Sequence, residues 1–526
     1  MRVLFASSEI FPLAKTGGLA DVSAGLPSAL GQYGVDIRLV MPGYPEAIDR
    51  AEGRGKRIPL GNLLGTGEVA LIPARSAETG LPLWLVECPA LFGRQGGLYA
   101  DQYGREWPDN ADRFAAVCHA AARIALGSAV PTWRADVVHA NDWHLGLVPA
   151  LLAFQPKPRP ATVFTIHNLA FQGLFPADVF PRLGLPSECF SADGMEFYGQ
   201  VSFLKAGIRY ADRISTVSPR YAQEILTPEF GCGLDGVLRS RANDLVGILN
   251  GVDYSTWDPS DADSLPRAYS ADDLSGKDAC KESLQRELGL VGNENAPLFL
   301  FMSRITEQKM ADVLPAVVPS IIERGGQVAV CGKGEAKLEA ALHSLSERHA
   351  GRVSVHIGYN EPLAKRALAG ADVVLAPARF EPCGLTQMYA MRYGALPVSR
   401  RVGGLADTVA DGEGAATGFL FEDATATDFK GAIHRACSAY ANTASWKRMQ
   451  RHAMTQDFGW RRSAERYLAL YRELPPSGGA KRGDAAAAER ARRAAAAVAA
   501  ANSDAAIPAP WVATSTAPLP AAVSRP

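Results

Sequence analysis

Short apolar segments alternate with helical segments along this chain, and the alternation starts again in its second half. In the first half the predicted strands are Val3–Ala6, Asp36–Met41, Leu83–Val86, Asp136–His139, Thr162–Ile166, Ile214–Ser218 and Leu245–Leu249. In the second half they are Leu298–Met302, Val328–Cys331, Val353–Ile357, Asp372–Ala376 and Leu396–Ser399. Buried strands separated by helices are typical of parallel sheets covered on both faces. The pattern predicts an α/β fold with two doubly wound, Rossmann-like domains that face a central cleft, which 526 residues can accommodate.

The first strand leads into a glycine turn, Lys15–Asp21, at the start of a predicted helix. Adjacent glycines let a backbone approach a ligand closely, and the N–H groups at a helix start favour an anion. Lys15 adds a positive charge beside them. The alternative interpretation is a tight turn next to a solvated lysine, and this stretch alone fits both.

Polar side chains follow several predicted strands at their carboxyl ends, where ligands bind in sheets of this kind. In the first half they are His139, Asp142, His144, His167 and Asn250, which we expect to line the cleft. The second half adds Arg304 and Lys309 after one strand and Glu381 in another loop, and residues 403–407 repeat Gly-Gly-Leu-Ala-Asp. Cations and helix starts gathered in one cleft predict a diphosphate site. Ordinary surface charge is the alternative for Arg304 and Lys309.

The composition argues against several other classes of protein. The chain has 54 Lys plus Arg and 55 Asp plus Glu, so its net charge favours neither nucleic acid nor an anionic membrane as a partner. Its eight cysteines form no C-x-x-C pair and its nine histidines no H-E-x-x-H motif, so we expect no metal and a reducing cytoplasm. We find no signal peptide, no bilayer-spanning apolar run, no Walker A loop and no G-x-G-x-x-G after the first strand.

A set of motifs along residues 1–474 resembles bacterial glycogen synthases and plant starch synthases. The motifs are Lys15–Asp21, His139–His144, Met195–Gln200, Ser202–Gly207, Asn250–Asp253, Ser303-Arg304 with Gln308-Lys309, and Arg379–Gln387. The resemblance implies the GT-B fold and an enzyme, a retaining glycosyltransferase of glycogen biosynthesis. It would transfer glucose from ADP-glucose to the non-reducing 4-OH of an α-1,4-glucan such as glycogen, without a cofactor.

The resemblance also implies roles for individual residues. The catalytic residues would be His167, Arg304, Lys309 and Glu381, and the substrate-binding residues would be Lys15, Gly17, Gly18, Asp21, Asp142, Asn250, Tyr359, Cys383, Gly384, Leu385 and Thr386. Lys15, Gly18, Arg304 and Lys309 would hold the diphosphate. Asp142, Asn250, Glu381 and the backbone N–H groups of 383–386 would contact the glucose. Tyr359 would pack on the adenine, and His167 would face the developing positive charge.

Two positions depart from the pattern of related retaining transferases. Tyr389 stands where many have a second Glu, and Met310 stands where many have Gly after Gln-Lys. If the backbone there requires positive φ, Met310 would be strained. With no paired carboxylates of the double-displacement kind, we expect departure and attack on one face of the sugar. Trapping a covalent glucosyl–enzyme would refute that mechanism.

The predicted domains are 1–257 on the acceptor side and 258–456 for the nucleotide sugar. A helix over 457–474 should return to the first domain, and the Ala/Pro-rich tail, 475–526, should be disordered. Arginines at 490, 492 and 493 leave a nucleic-acid-binding tail open as an alternative. Two further alternatives remain: a GT-B transferase with another donor or acceptor, and a non-catalytic glucan-binding protein.

Overall fold

The computed structural model describes residues 1–156, 158–358, 360–412 and 414–474. They form two α/β lobes with separate hydrophobic cores. We call residues 1–248 together with 460–474 the first lobe, and residues 252–454 the second lobe. The predicted tail, 475–526, lies outside the described residues.

The first lobe is built on a large, mainly parallel sheet. Its strands are β1 (Arg2–Ala6), β2 (Asp36–Pro42), β3 (Ile58–Asn62), β4 (Glu68–Arg75), β5 (Pro82–Glu87), β6 (Val137–Asn141), β7 (Ala161–Ile166), β8 (Leu174–Pro176), β9 (Glu196–Phe197), β10 (Gln200–Ser202), β11 (Arg213–Thr216) and β12 (Leu245–Gly247). Its helices are α1 (Gly18–Gln32), α2 (Pro45–Arg50), α3 (Pro89–Phe92), α4 (Asn110–Ala125), α5 (Leu147–Ala153), α6 (Phe203–Tyr210), α7 (Pro219–Glu224) and α8 (Asp235–Ser240). The sheet order is β12-β11-β7-β6-β1-β2-β5-β4-β3, in which β4 alone runs antiparallel to its neighbours, and β8-β10-β9 form a separate small sheet.

The second lobe has a six-stranded sheet in the order β15-β14-β13-β16-β17-β18, with every neighbour parallel. These strands are β13 (Leu298–Met302), β14 (Gln327–Gly332), β15 (Val353–Ile357), β16 (Val373–Ala376), β17 (Leu396–Arg400) and β18 (Phe419–Phe421). The helices are α9 (Ser275–Glu287), α10 (Leu314–Glu323), α11 (Ala336–Arg348), α12 (Glu361–Gly370), α13 (Thr386–Arg392), α14 (Gly403–Thr408), α15 (Ala426–Tyr440) and α16 (Thr443–Met454). This is the doubly wound order expected of a Rossmann-like domain.

The predicted alternation of strands and helices is confirmed, and each predicted strand is present to within a few residues. The antiparallel strands β3 and β4 and the three-residue β18 were not predicted, since β3 contains Pro59 and Gly61 and β18 is too short to show a pattern. Residues 258–274 form an irregular, mostly polar segment, yet some of its apolar side chains are buried. Leu265 and Tyr269 are buried in the core of the second lobe, and the Tyr269 hydroxyl donates to the Tyr393 carbonyl at 2.8 Å.

The last described helix, α17 (Trp460–Arg472), packs on the first lobe. A Cβ added to Gly25 of α1 would lie 2.1 Å from Trp460 Nε1, so only glycine allows this close contact. Tyr471 of α17 reaches the ring of His139 on β6 at 2.7 Å. After forming the second lobe, the chain therefore returns to the first lobe, and α17 completes the core of that lobe.

Candidate active site

The strand order of the second sheet reverses between β13 and β16, and that of the first between β1 and β6. At such a point neighbouring loops diverge and leave a crevice at the carboxyl ends of the strands. The loop after β13 carries Arg304 and Lys309, the loop after β16 carries Glu381, and the loop after β1 carries Lys15. The predicted site residues therefore lie where each sheet opens.

Several contacts join the loops after β13 and β16. Lys309 Nζ forms an ion pair with Glu381 Oε2, and both side chains are largely buried. The Gln308 side chain donates from Nε2 to the Phe380 carbonyl at 3.3 Å. The backbone carbonyl of Gln308 accepts the backbone N–H of Arg379 at 2.9 Å. A pocket at this point is lined by Lys309 and Glu381, among others. Arg304 stays exposed and donates to Gln308 Oε1 at 3.1 Å.

Met310, beside Lys309, has φ of +53° and a fully buried side chain. The backbone therefore has the left-handed conformation that was foreseen as a source of strain, at a cost of about 1–2 kcal/mol for a residue other than glycine. The buried thioether chain offsets part of that cost. Tyr389, at the other departure, stacks on Trp257 with ring centroids 4.1 Å apart, so it belongs to the core.

The turn that follows Glu381 leads into α13. Cys383 is buried, which raises the pKa of its thiol to about 12, and hydrogen bonds from Asn250 oppose that rise. Asn250 Oδ1 is buried without a hydrogen-bond partner among the described residues. The predicted glucose-binding residue Asn250 thus lies against the predicted N–H-rich turn.

In the first lobe, the glycine turn is organised by a residue that the sequence did not single out. Glu9 is 3% exposed and accepts hydrogen bonds from Thr16 N at 2.5 Å, Thr16 Oγ1 at 2.5 Å and Gly17 N at 3.3 Å. Tyr99 Oη donates to the same carboxylate at 2.6 Å. The prediction that the N–H groups of this turn are free for a ligand is therefore wrong for Thr16 and Gly17, because Glu9 takes them.

Lys15 and Asp21, both predicted to bind substrate, form an ion pair at 2.8 Å. Burial raises the pKa of Asp21, and Lys15 opposes that rise. A Cβ added to Gly18 would lie 3.3 Å from Leu385 Cδ1 of the second lobe. The glycine turn of the first lobe therefore meets the turn after Glu381, as a two-sided cleft requires.

Asp142 and His167 follow β6 and β7. Asp142 has φ of +61°, is 7% exposed and accepts the Trp143 N–H at 3.1 Å; burial raises its pKa to about 8. His167 Nε2 contacts Asn141 Oδ1 at 3.0 Å, and Asn141 in turn donates to the Ala6 carbonyl at 3.0 Å. Burial lowers the pKa of His167 to about 3, so its imidazole is neutral at physiological pH.

Two of the five polar residues expected to line the cleft do not do so. His139 is fully buried inside β6, where it contacts Tyr471 Oη and Thr165 Oγ1, so it holds α17 on the sheet. His144 is 5% exposed and lies between the rings of Tyr99 and Trp143, with centroids 4.5 Å and 3.9 Å away. Both histidines are neutral, since burial lowers the pKa of each.

The second glycine turn, 403–407, was predicted to offer another anion site, and the structure corrects this. Gly403 N donates to both oxygens of Glu224, at 3.0 and 3.1 Å. Glu224 belongs to α7 of the first lobe and is buried. The turn therefore joins the two lobes, and its first N–H already has a carboxylate acceptor.

Among the predicted site residues, Tyr359 lies outside the described residues, and the roles assigned to the others stay predictions. Glu9 follows β1 by three residues, so the rule that functional groups lie after strands could have found it. No comparable signal marks Glu224, because its partner is 179 residues away.

In the described part of the chain, no group of three or more His, Cys, Asp and Glu side chains could hold a metal ion. No helix there is long and apolar enough to cross a membrane.

Two protein families match the two lobes. Residues 2–240 match the family described as starch synthase catalytic domain, and residues 296–439 match glycosyl transferases group 1. A glycogen synthase from Paramagnetospirillum magneticum is 51% identical over 490 residues, which cover 91% of this chain and 99% of that protein. A glycogen synthase from Burkholderia thailandensis is 49% identical over 90% of each chain.

A solved structure extends the likeness to three dimensions. It is the catalytic domain of starch synthase IV from Arabidopsis thaliana, bound to ADP and acarbose. It is 30% identical, has a TM-score of 0.81, and the alignment covers 90% of this chain and 98% of that one. The likeness therefore includes both lobes.

Proposed function

The chain belongs to the family of bacterial glycogen synthases and plant starch synthases, and on that premise we propose that it transfers glucose from ADP-glucose to the non-reducing 4-OH of an α-1,4-glucan with retention. As a member of that family, it is a glycosyltransferase. The observation that carries the finer proposal is the meeting of the two lobes at Gly18 and Leu385, with cationic loops from both lobes beside that contact. A departing ADP would need cations of this kind.

Departure of ADP places two to three negative charges in the cleft. A helix start contributes only about 0.3–1 kcal/mol at an exposed site, so the turns alone are insufficient. Lys15, Arg304 and Lys309 would neutralise the diphosphate, and cations positioned in this way supply rate factors on the order of 10³–10⁵ in phosphoryl transfer. We propose that these side chains make a metal cofactor unnecessary.

The sugar would be held on the other side of the scissile bond. Glu381, Asp142 and Asn250 would accept or donate hydrogen bonds to its hydroxyl groups, and the N–H groups of 383–386 would add to them. His167 would lie near the anomeric carbon as a neutral imidazole. A neutral ring does not repel the positive charge that develops there.

Retention without a covalent intermediate requires both partners on one face of the glucose. The bond between C1 and the phosphate oxygen breaks while the bond between C1 and the glucan O4 forms. The proton of the 4-OH passes to an oxygen of the departing phosphate. The leaving group thus serves as the base, and no second carboxylate is needed.

The test is release of ADP from ADP-glucose by the full chain, with and without glycogen, repeated with UDP-glucose and with EDTA. We expect release that depends on glycogen, prefers ADP-glucose and survives EDTA. Faster turnover of UDP-glucose would make it a transferase with another donor. Binding of glycogen without ADP release would make it a glucan-binding protein, and loss of activity in EDTA would refute the absence of a metal.

A further inference from the structure

We propose that Ser218 and Glu224 of the first lobe are positioning residues for the donor site of the second lobe. Ser218 bonds to the backbone of the turn 381–384, and Glu224 bonds to helix α14, which lies against that turn. The proposal rests on the proposed function, in which this turn contacts the glucose of the donor. Neither Ser218 nor Glu224 needs to touch the donor itself.

The first two carbonyl groups of this turn are held by different lobes. The Glu381 carbonyl accepts the backbone N–H of Gly404 at 3.1 Å. The Pro382 carbonyl accepts the Ser218 hydroxyl at 2.6 Å, and Ser218 is fully buried. Ser218 comes from the residue just before α7, so this second bond crosses between the lobes.

The next two carbonyl groups are held by one side chain. Gln387 Nε2 donates to the Cys383 carbonyl at 3.1 Å and to the Gly384 carbonyl at 2.9 Å. Four consecutive carbonyls are therefore occupied, whereas the N–H groups of Cys383, Gly384 and Leu385 find no acceptor among the described residues. Successive N–H groups left free in this way form a concave anion- or oxygen-binding surface.

Gly403 and Gly404, the second glycine pair, have to be glycines because they lie against this turn. A Cβ on Gly403 would lie 1.8 Å from the Glu381 carbonyl oxygen, and one on Gly404 would lie 2.1 Å from that of Cys383. Both distances are far below any real contact, so α14 can lie against the turn only with glycine at both positions. Gln387 Nε2 also lies 3.1 Å from Thr408 Oγ1 of α14. Helix α14 is thus the support of the turn.

The first lobe is hydrogen-bonded to α14 at two points. Glu224, at the end of α7, accepts the first N–H of α14 from Gly403, and Asp407 of α14 accepts the Arg220 N–H at the start of α7, at 2.7 Å. Each short helix therefore receives a carboxylate from the other. The partial charge at a helix start strengthens such bonds.

The consequence is a donor site whose geometry depends on the opposite lobe. When the lobes separate, the Pro382 carbonyl and the Gly403 N–H lose their partners together. The turn then has its supports from Gln387 and Gly404 alone. Affinity for the donor should therefore fall when Ser218 or Glu224 is replaced, although affinity for the glucan should not.

The experiment compares Ser218→Ala and Glu224→Gln with Ser218→Thr and with Ser202→Ala in the full chain. Ser202 is a matched control because it is also buried, caps a helix by accepting the Lys205 N–H, and donates to a carbonyl, that of Gln172 in its own lobe. The readouts are KM for ADP-glucose, KM for glycogen, kcat and the melting temperature.

For Ser218→Ala and Glu224→Gln we expect KM for ADP-glucose to rise about three- to tenfold, the effect of one lost hydrogen bond, with KM for glycogen unchanged. Ser218→Thr should restore the wild-type value, and Ser202→Ala should lower the melting temperature without raising the donor KM. Equal donor KM in Ser218→Ala and Ser202→Ala would overturn the inference. Failure of the wild type to use ADP-glucose would instead refute the proposed function.

Discussion

Lys309 and Glu381 form an ion pair that joins the loop after β13 to the loop after β16. Both were predicted as catalytic residues, 72 positions apart in the chain. The carboxylate thus holds the ammonium group at the point where the sheet opens. In the proposed function, a bound diphosphate would share that ammonium group.

Replacing Lys309 by Ala should lower turnover at least about 10²-fold, since a positioned cation that stabilises a leaving group is worth at least this factor. The measurement is kcat for ADP release in the presence of glycogen. Arg366→Ala, which breaks a partly exposed ion pair with Glu287 in the same lobe, is the control and should stay near the wild-type rate. A Lys309→Ala enzyme of normal turnover would remove Lys309 from the mechanism.

Met310→Gly should be more stable than Met310→Ala by about 1 kcal/mol, the reverse of the usual order, because φ is +53° at this position. Both variants should be less stable than the wild type, since each removes a buried side chain worth about 2–5 kcal/mol. Calorimetric melting of the three proteins provides the comparison. An alanine variant as stable as the glycine variant would show that the backbone there is unstrained.

The stability of the Asp142→Asn variant should improve relative to the wild type as the pH rises from 5 to 9. Burial raises the pKa of Asp142 to about 8, against about 3.9 in an unfolded chain. The stability contributed by its proton is complete below about pH 4 and is lost as the pH rises through about 8. The difference between the melting temperatures of the variant and the wild type should therefore shift in favour of the variant across this range. A constant difference would mean that Asp142 is ionised throughout.

Gly404→Ala should raise KM for ADP-glucose more than tenfold, because the new methyl group would lie 2.1 Å from the Cys383 carbonyl oxygen and displace the donor turn. Gly431→Ala is the control: this exposed glycine of α15 has open space around it. That change should leave the kinetics alone and stabilise the helix by about 0.5–1 kcal/mol. Unchanged donor KM in Gly404→Ala would show that α14 does not support the turn.

Glu9→Gln should weaken donor binding about tenfold without a matching loss of kcat. The amide has one acceptor oxygen where the carboxylate has two, and the turn beside Lys15 would lose at least one of its bonds to Thr16 or Gly17. Glu87→Gln, which affects an ion pair with Arg57 elsewhere in the first lobe, provides the comparison. Equal donor KM for the two variants would contradict a role for Glu9 in holding the turn.

Much of the fold follows from local pattern. Runs such as Leu298–Met302 are apolar along their whole length, so they predict buried strands of a parallel sheet without knowledge of their neighbours. The helix after the turn Lys15–Asp21 and the helix predicted over 457–474 follow from local pattern in the same way. The rule that ligands bind after strands then places Arg304, Lys309 and Glu381 at one crevice.

The same reasoning predicted the wrong role for residues whose role depends on a partner far away in the chain. His139 follows the rule for site residues, yet its ring contacts Tyr471, 332 residues later, and is fully buried. The two Gly-Gly-Leu-Ala-Asp segments are identical in sequence, and one lies against Leu385 while the other receives Glu224. A short segment cannot encode which carboxylate will reach it.

The sequence by itself determined the two-lobed α/β fold, the family and the strand ends at which the chemistry is expected, because periodicity and motif spacing are local properties. Only the tertiary structure decided which N–H groups are already taken and which lobe holds the donor turn. Those answers rest on hydrogen bonds between residues such as Ser218 and Pro382, 164 positions apart, and such bonds exist only after both lobes have folded and docked.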